Sequence, residues 1–225
     1  VVLDDKVSFK TNSVIPFLNI AKKGEDLKEN TIVLESGTLL NPLNISLLAS
    51  VGKNSVRVFQ SPKVAILSTG NEIVPLSKIP KPEEIRDSNS YTLVEFLKRY
   101  KINPVIRKIV PDEINQLSEE IENALSCDII FITGGVSMGD FDFIPKILME
   151  KKINCLFHKV EIRPGKPLWF GVHPNGNIVF ALPGNPFAVQ VAFKIFIEPF
   201  IRKILQMKDL YFLNFPFIGQ KKKRH

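Results

Sequence analysis

The chain is poor in residues that bind metals softly or cross-link: two cysteines and three histidines in 225 residues. Cys127 and Cys155 stand alone in or beside apolar runs. They read as buried thiols of a reducing cytoplasm, not as a disulfide framework. His158, His173 and His225 share no ligand-type spacing, which argues against a structural zinc. No apolar run is long enough to cross a bilayer, so no membrane partner is expected. Residues 1–8 carry early acids and no apolar core, unlike a signal peptide. The first residue is Val1, not Met, so a piece of a longer chain is expected. Internal repeats are missing too. Low complexity is confined to Lys221-Lys222-Lys223-Arg224, a solvated basic tail.

What is present begins with a formal charge of +7. That excess suits an anionic small ligand. No basic stretch is interleaved with aromatics, so nucleic acid is not the expected partner.

Residues 1–60 read as the remnant of a β-rich domain plus a linker helix. Residues 31–34 form a short β-type run between turns at Gly24-Glu25-Asp26 and Ser36-Gly37. Asn41-Pro42 opens a helix with Asn41 as N-cap, and Gly52 ends it. Residues 61–206 alternate strands and helices. Apolar runs at 64–67, 105–110, 128–132, 157–162, 168–171 and 178–182 read as strands. Helices are expected at 91–100, at 112–125 with Asp112 as cap, at 143–149 with Asp142 as cap, and from Asn185-Pro186 to about 205. This pattern predicts an α/β fold: a doubly wound, mostly parallel sheet with helices on both faces, preceded by the small β-rich segment. Residues 207–225 read as the start of a truncated C-terminal β domain or a tail.

Ligands of open α/β sheets bind beyond the carboxyl ends of the strands. Three loops hold that position. Ser68-Thr69-Gly70-Asn71-Glu72 combines a tight turn with an acid. Thr133-Gly134-Gly135-Val136-Ser137-Met138-Gly139-Asp140-Phe141-Asp142 brings backbone amides close to a phosphate or pterin and adds two carboxylates suited to Mg²⁺. It lacks the Gly-Lys-Ser/Thr ending of a P-loop. Pro183-Gly184-Asn185-Pro186 leads into a helix N-terminus, which favours an anion. A fourth loop, Arg163-Pro164-Gly165-Lys166-Pro167, preceded by Lys159, carries cations for an oxyanion.

Together these loops resemble the molybdopterin molybdenumtransferase family, the MoeA-type enzymes that include the E domain of gephyrin. The matching elements also include Gly24-Glu25-Asp26 and Ile85-Arg86-Asp87-Ser88-Asn89, all in the family's order. The resemblance implies an enzyme of molybdenum cofactor biosynthesis. It would bind adenylylated molybdopterin and molybdate, hydrolyse the adenylate with Mg²⁺, and release AMP. By the same resemblance Asp26, Glu72, Asp112 and Asp142 are the catalytic acids, with Glu72, Asp140 and Asp142 as metal ligands. Lys159, Arg163 and Lys166 would hold molybdate and phosphate oxygens. Thr69, Gly70, Gly134, Gly135, Ser137, Pro183, Gly184, Asn185 and Pro186 would line the substrate. A homodimer, transient contact with the adenylyltransferase and a cytoplasmic location are implied as well. Arg163 stands where relatives often have Lys, and Ala188 where many carry Ser. Two other functions fit the same fold: a molybdopterin adenylyltransferase, and a non-catalytic scaffold or binding module.

Overall fold

The computed structural model describes residues 15–136 and 143–207, together with the backbone of two short strands, Val2–Leu3 (β1) and Lys6–Val7 (β2). The chain divides into two compact units, Val1–Val56 and Arg57–His225.

In the first unit β1 and β2 pair antiparallel. Residues 31–34, expected as a strand, form none: four residues have no strand to pair with among the described residues, and they follow a turn closed by Thr31 N–H donating to Lys28 carbonyl. The helix Pro42–Ser50 (α1) begins as expected. The Asn41 side chain accepts from Asn44 N–H at 2.9 Å, and Pro42 occupies the first turn. Yet α1 buries no residue, and Leu43 is 80% exposed. Its end caps therefore matter more to this helix than to those of the second unit, although Leu47 and Leu48 are half-buried.

The second unit runs β3 (Val64–Thr69), β4 (Ile73–Val74), β5 (Ile85–Arg86), α2 (Asn89–Lys98), β6 (Ile106–Val110), α3 (Ile114–Ala124), β7 (Ile129–Thr133), α4 (Ile144–Glu150), β8 (Asn154–His158), β9 (Trp169–Val172) and β10 (Ile178–Leu182). It ends in the helices α5 (Pro186–Ala192) and α6 (Glu198–Ile204), joined by one wide π turn, Phe193–Ile197. Pro199 has no N–H for the carbonyl four residues back, which accounts for the widened turn in an otherwise continuous helix.

Six strands form one sheet in the order β6-β3-β7-β10-β9-β8. The first four are parallel, and β9 runs antiparallel to both neighbours. Alternate residues of each strand feed two cores. Ala65, Leu67, Ile130 and Ile132 face α3 and α4 through Leu117, Ile121, Ile144 and Leu148. Val64, Ile66, Ile129 and Phe131 face α2, α5 and α6 through Leu93, Leu97, Val189 and Ile201. With both faces covered, β3 is buried at every position, as its unbroken apolar run requires. Each of its large apolar side chains, Val64, Ile66 and Leu67, contributes roughly 1.5–3 kcal/mol on burial. Stacked rings add to the second core, among them Phe131 on Phe180 at 5.7 Å and Phe96 on Phe193 at 4.6 Å.

Three differences from expectation have local causes. β8 ends at His158, because Val160 and Ile162 turn back in a tight loop whose Val160 N–H donates to the Lys166 carbonyl. Cys155 is exposed on that edge strand, whereas Cys127 is buried, and burial pushes the Cys127 thiol upward from its usual range. β4 and β5, too short to show a pattern, pair as a small parallel ribbon. Among the described residues no helix is long and apolar enough to cross a membrane.

Candidate functional site

Strand register puts the site in place. Ser68 lies beside Thr133, Thr69 beside Val110, and Thr133 beside Leu182, so four parallel strands end in one row. The loops that leave this row surround a cleft of about 440 Å³. From β3 come Thr69 and Glu72, and from β6 comes Asp112. β7 supplies Gly134 and Gly135, and β10 supplies Pro183, Gly184 and Pro186. Their main chains are stitched together. Gly70 N–H donates to Val110 carbonyl at 3.3 Å, and Gly134 N–H to Leu182 carbonyl at 3.0 Å. Asp112 N–H donates to the Asn71 side chain at 3.1 Å.

Two glycines are required by geometry. Gly70 has φ +145°, and a Cβ there would fall 2.6 Å from the Glu72 carboxylate, which lies across the bare Cα. Gly134 has φ +98°, and a Cβ would meet the Thr69 carbonyl oxygen at 2.4 Å. That neighbour is main chain and cannot turn aside. The β3 and β7 loops therefore touch backbone to backbone, and no side chain fits between them.

Asp112 is expected to cap α3 and, from the resemblance, to be an acid of the cleft. Glu113 is the N-cap residue, without a side-chain cap bond, and Asp112 stands in the cleft wall. Asn185 does cap α5. Its side-chain oxygen accepts from Phe187 N–H at 2.9 Å and Ala188 N–H at 3.1 Å. Those two amides, expected to favour an anion, are already satisfied by Asn185 itself.

The basic loop has a different position. It links β8 to β9 on the same rim of the sheet, where only Pro167 reaches the cleft wall. Lys159, Arg163 and Lys166 are exposed and lie outside that lining. Gly165, between them, packs near Ala188 carbonyl at the first turn of α5. Asp26 is exposed in the other unit. Ser137, Asp140 and Asp142 lie outside the described residues, as does the expected capping of α4 by Asp142.

The cleft also uses residues to which the sequence assigned no role. Arg86, Asp87, Ser88 and Asn89 line it, at the end of β5 and the start of α2. Asp87 is buried and accepts from Ser90 N–H at 3.0 Å, fixing the first turn of α2 near the positive end of its dipole. Arg86 Nε donates to Leu76 carbonyl at 3.3 Å, and Asn89 Nδ2 to Gly184 carbonyl at 2.8 Å. The run of four polar residues just before an apolar helix was the available signal. The wall thus carries three carboxylates, Glu72, Asp87 and Asp112, against one guanidinium among the described residues. An anionic ligand needs added positive charge there.

Residues 65–203 match the family described as "Probable molybdopterin binding domain". The chain belongs to this molybdopterin-binding domain family. The chain is 37% identical over 214 residues to a molybdopterin molybdenumtransferase of Nostoc sp., covering 91% of this chain and 49% of the relative. It is 36% identical over 185 residues to the molybdopterin molybdenumtransferase of Bacillus subtilis, covering 82% of this chain and 43% of the relative. Among solved structures it is similar to the molybdopterin biosynthesis MoeA protein from Pyrococcus horikosii, with a TM-score of 0.77 and 32% identity. That match covers 87% of this chain and 49% of the other. The chain therefore spans about half the length of the curated relatives it matches.

Proposed function

We propose that the protein carrying this domain inserts molybdate into adenylylated molybdopterin, with Mg²⁺-dependent hydrolysis of the adenylate and release of AMP. One observation carries the reading. Glu72 and Asp112, from the ends of adjacent strands, share a cleft wall with the side-chain-free backbone of Gly134 and Gly135. Acids that can hold a hard cation thus stand beside main chain that can approach a phosphate. The relatives named molybdopterin molybdenumtransferase support the choice of reaction.

Among the described residues no three metal-binding side chains form a cluster. Mg²⁺ does not need one, because it binds through one or two carboxylates together with water and substrate phosphates. Glu72 and Asp112 fit that donor set, with Asp140 and Asp142 as the further candidates from the resemblance. When bound, Mg²⁺ would neutralise charge on the phosphoanhydride. Glu72 then orients the attacking water, and Asp112 is held in place by the Asn71 contact to its backbone. Thr69 and the Gly70, Gly134, Gly135 and Pro183–Pro186 loops hold the pterin and phosphate. Lys159, Arg163 and Lys166 meet molybdate as it arrives over the rim, and Asp26 is a further candidate acid from the resemblance alone. Action as a cytoplasmic homodimer, with transient contact to the adenylyltransferase, belongs to the same proposal.

The test uses the full-length protein with purified adenylylated molybdopterin. AMP release is expected to depend on molybdate and Mg²⁺. Asp142→Asn is expected to abolish turnover while leaving pterin binding measurable. Synthesis of the adenylate from ATP would instead favour an adenylyltransferase.

A further inference from the structure

Among the described residues, Asn89 is the side chain of the cleft wall with a buried polar atom that lacks a partner. Asn89 is only 8% exposed, and its Oδ1 accepts from no donor. The orientation of the amide is determined. Gly184 carbonyl can only accept, so Nδ2 faces it at 2.8 Å and Oδ1 faces the other way. A clip that merely tied α2 to the Gly184 loop would be complete with that one bond. It would not leave a buried carbonyl oxygen without a donor, an arrangement that folded proteins rarely keep.

The missing donor has a restricted chemistry. Phosphate and molybdate oxygens at neutral pH are acceptors and cannot satisfy Oδ1. The cleft wall also holds Gly134, Gly135, Pro183 and Pro186, small or flat residues that suit a planar ring better than a puckered sugar. We infer that Asn89 is a specificity-determining residue whose Oδ1 accepts a hydrogen bond from the exocyclic amino group of the ligand's nitrogen heterocycle. This rests on the cleft being the site for an adenylylated pterin, which has two such groups, one on the pterin and one on the adenine. Because Oδ1 is buried, the wall parts locally as the ring enters. The same side chain then links the ring to the Gly184 carbonyl through its two amide ends.

The test is equilibrium binding to the full-length protein of two probe pairs. Pterin is compared with lumazine, and AMP with IMP. In each pair a carbonyl replaces the amino group, so the second member sets an acceptor against Oδ1. Wild type is expected to prefer the amino member of one pair by about tenfold, the loss that follows from one buried hydrogen bond. The pair concerned tells which ring lies at Asn89. In Asn89→Ala that preference is expected to fall to near unity. Asn89→Asp keeps an acceptor but loses the donor to Gly184, so it should bind more weakly overall and keep the preference. This second variant also decides the matter if Asn89→Ala does not fold: a lost preference in Asn89→Asp overturns the inference. Equal weakening of both members of each pair in Asn89→Ala, with the ratio unchanged, would reduce Asn89 to a clip and overturn it as well. No preference in wild type does the same. If wild type binds none of the four probes, the reading of the cleft itself fails.

Discussion

The two ends of the sheet carry openings of nearly equal size, about 440 Å³ at the carboxyl end and about 430 Å³ at the amino end. Volume does not tell them apart, but polar bonding does. The amino-end groove is lined by residues such as Lys63, Ser126 and Asp128. The Asp128 carboxylate accepts from Lys63 N–H at 2.7 Å, and Lys63 carbonyl takes Asp128 and Ile129 N–H. This groove closes on itself, as the start of two paired strands should. At the carboxyl end the glycine loops meet backbone to backbone, acids outnumber cations, and Asn89 keeps a buried acceptor without a donor. A site is recognised by polar groups the fold leaves unmet, more than by the space around them.

The largest effect on this contrast is expected from Gly134→Val. The side chain would strike the Thr69 carbonyl at a positive φ, costing about 3 kcal/mol or more and separating the β3 and β7 loops. A melting-temperature drop of several degrees, with loss of AMP binding, checks it; an unchanged melting curve refutes the backbone contact.

Glu72→Gln comes next. It keeps shape and removes charge, so molybdate-dependent AMP release should fall by about 100-fold with the fold intact. The matched change at the other end, Asp128→Asn, should cost about 1 kcal/mol of stability through the weakened bond to Lys63 N–H. It should leave turnover unchanged. Equal turnover losses in the two variants would erase the distinction between the ends.

Arg163→Ala tests the margin of the cleft. Arg163 is exposed and outside the lining, so its loss should raise the molybdate requirement by about tenfold without abolishing turnover. Molybdate titration of AMP release measures it, and no change would return the loop to a plain surface turn.

The smallest effect concerns Tyr100, which lines neither opening. Burial first, then its hydrogen bond to Glu198, pushes the Tyr100 hydroxyl up to about 12. The folded value lies above the unfolded value of 10.0, so the contribution to stability is complete below pH 10 and is lost as pH rises towards 12. Thermal melts of wild type and Tyr100→Phe should differ by an amount that shrinks across that window. A constant difference would contradict the coupling.

These contrasts also explain what the sequence could tell. The strands β3, β7 and β10 and the loops that follow them were readable, because continuous apolar runs break into glycine at the point where a covered sheet must end. The inclination of each loop was not. β8 delivers only Pro167 to the cleft because it lies two strands beyond β10, a fact of strand order and not of local pattern. Local pattern alone reads Asp112 as a helix cap, because an acid before an amphipathic helix usually is one; only the resemblance pointed to the cleft, and its place there follows from β6 lying beside β3. Asn89 meets Gly184 across 95 residues of chain, which no spacing rule anticipates.

Hydrogen exchange on the full-length protein, with and without AMP and Mg²⁺, distinguishes ligand binding at the carboxyl end of the sheet from binding at the amino end. Slowed exchange is expected at residues 68–72, 85–89 and 133–135, with residues 60–63 and 126–128 unaffected. Protection confined to residues 60–63 and 126–128 would contradict binding at the carboxyl end.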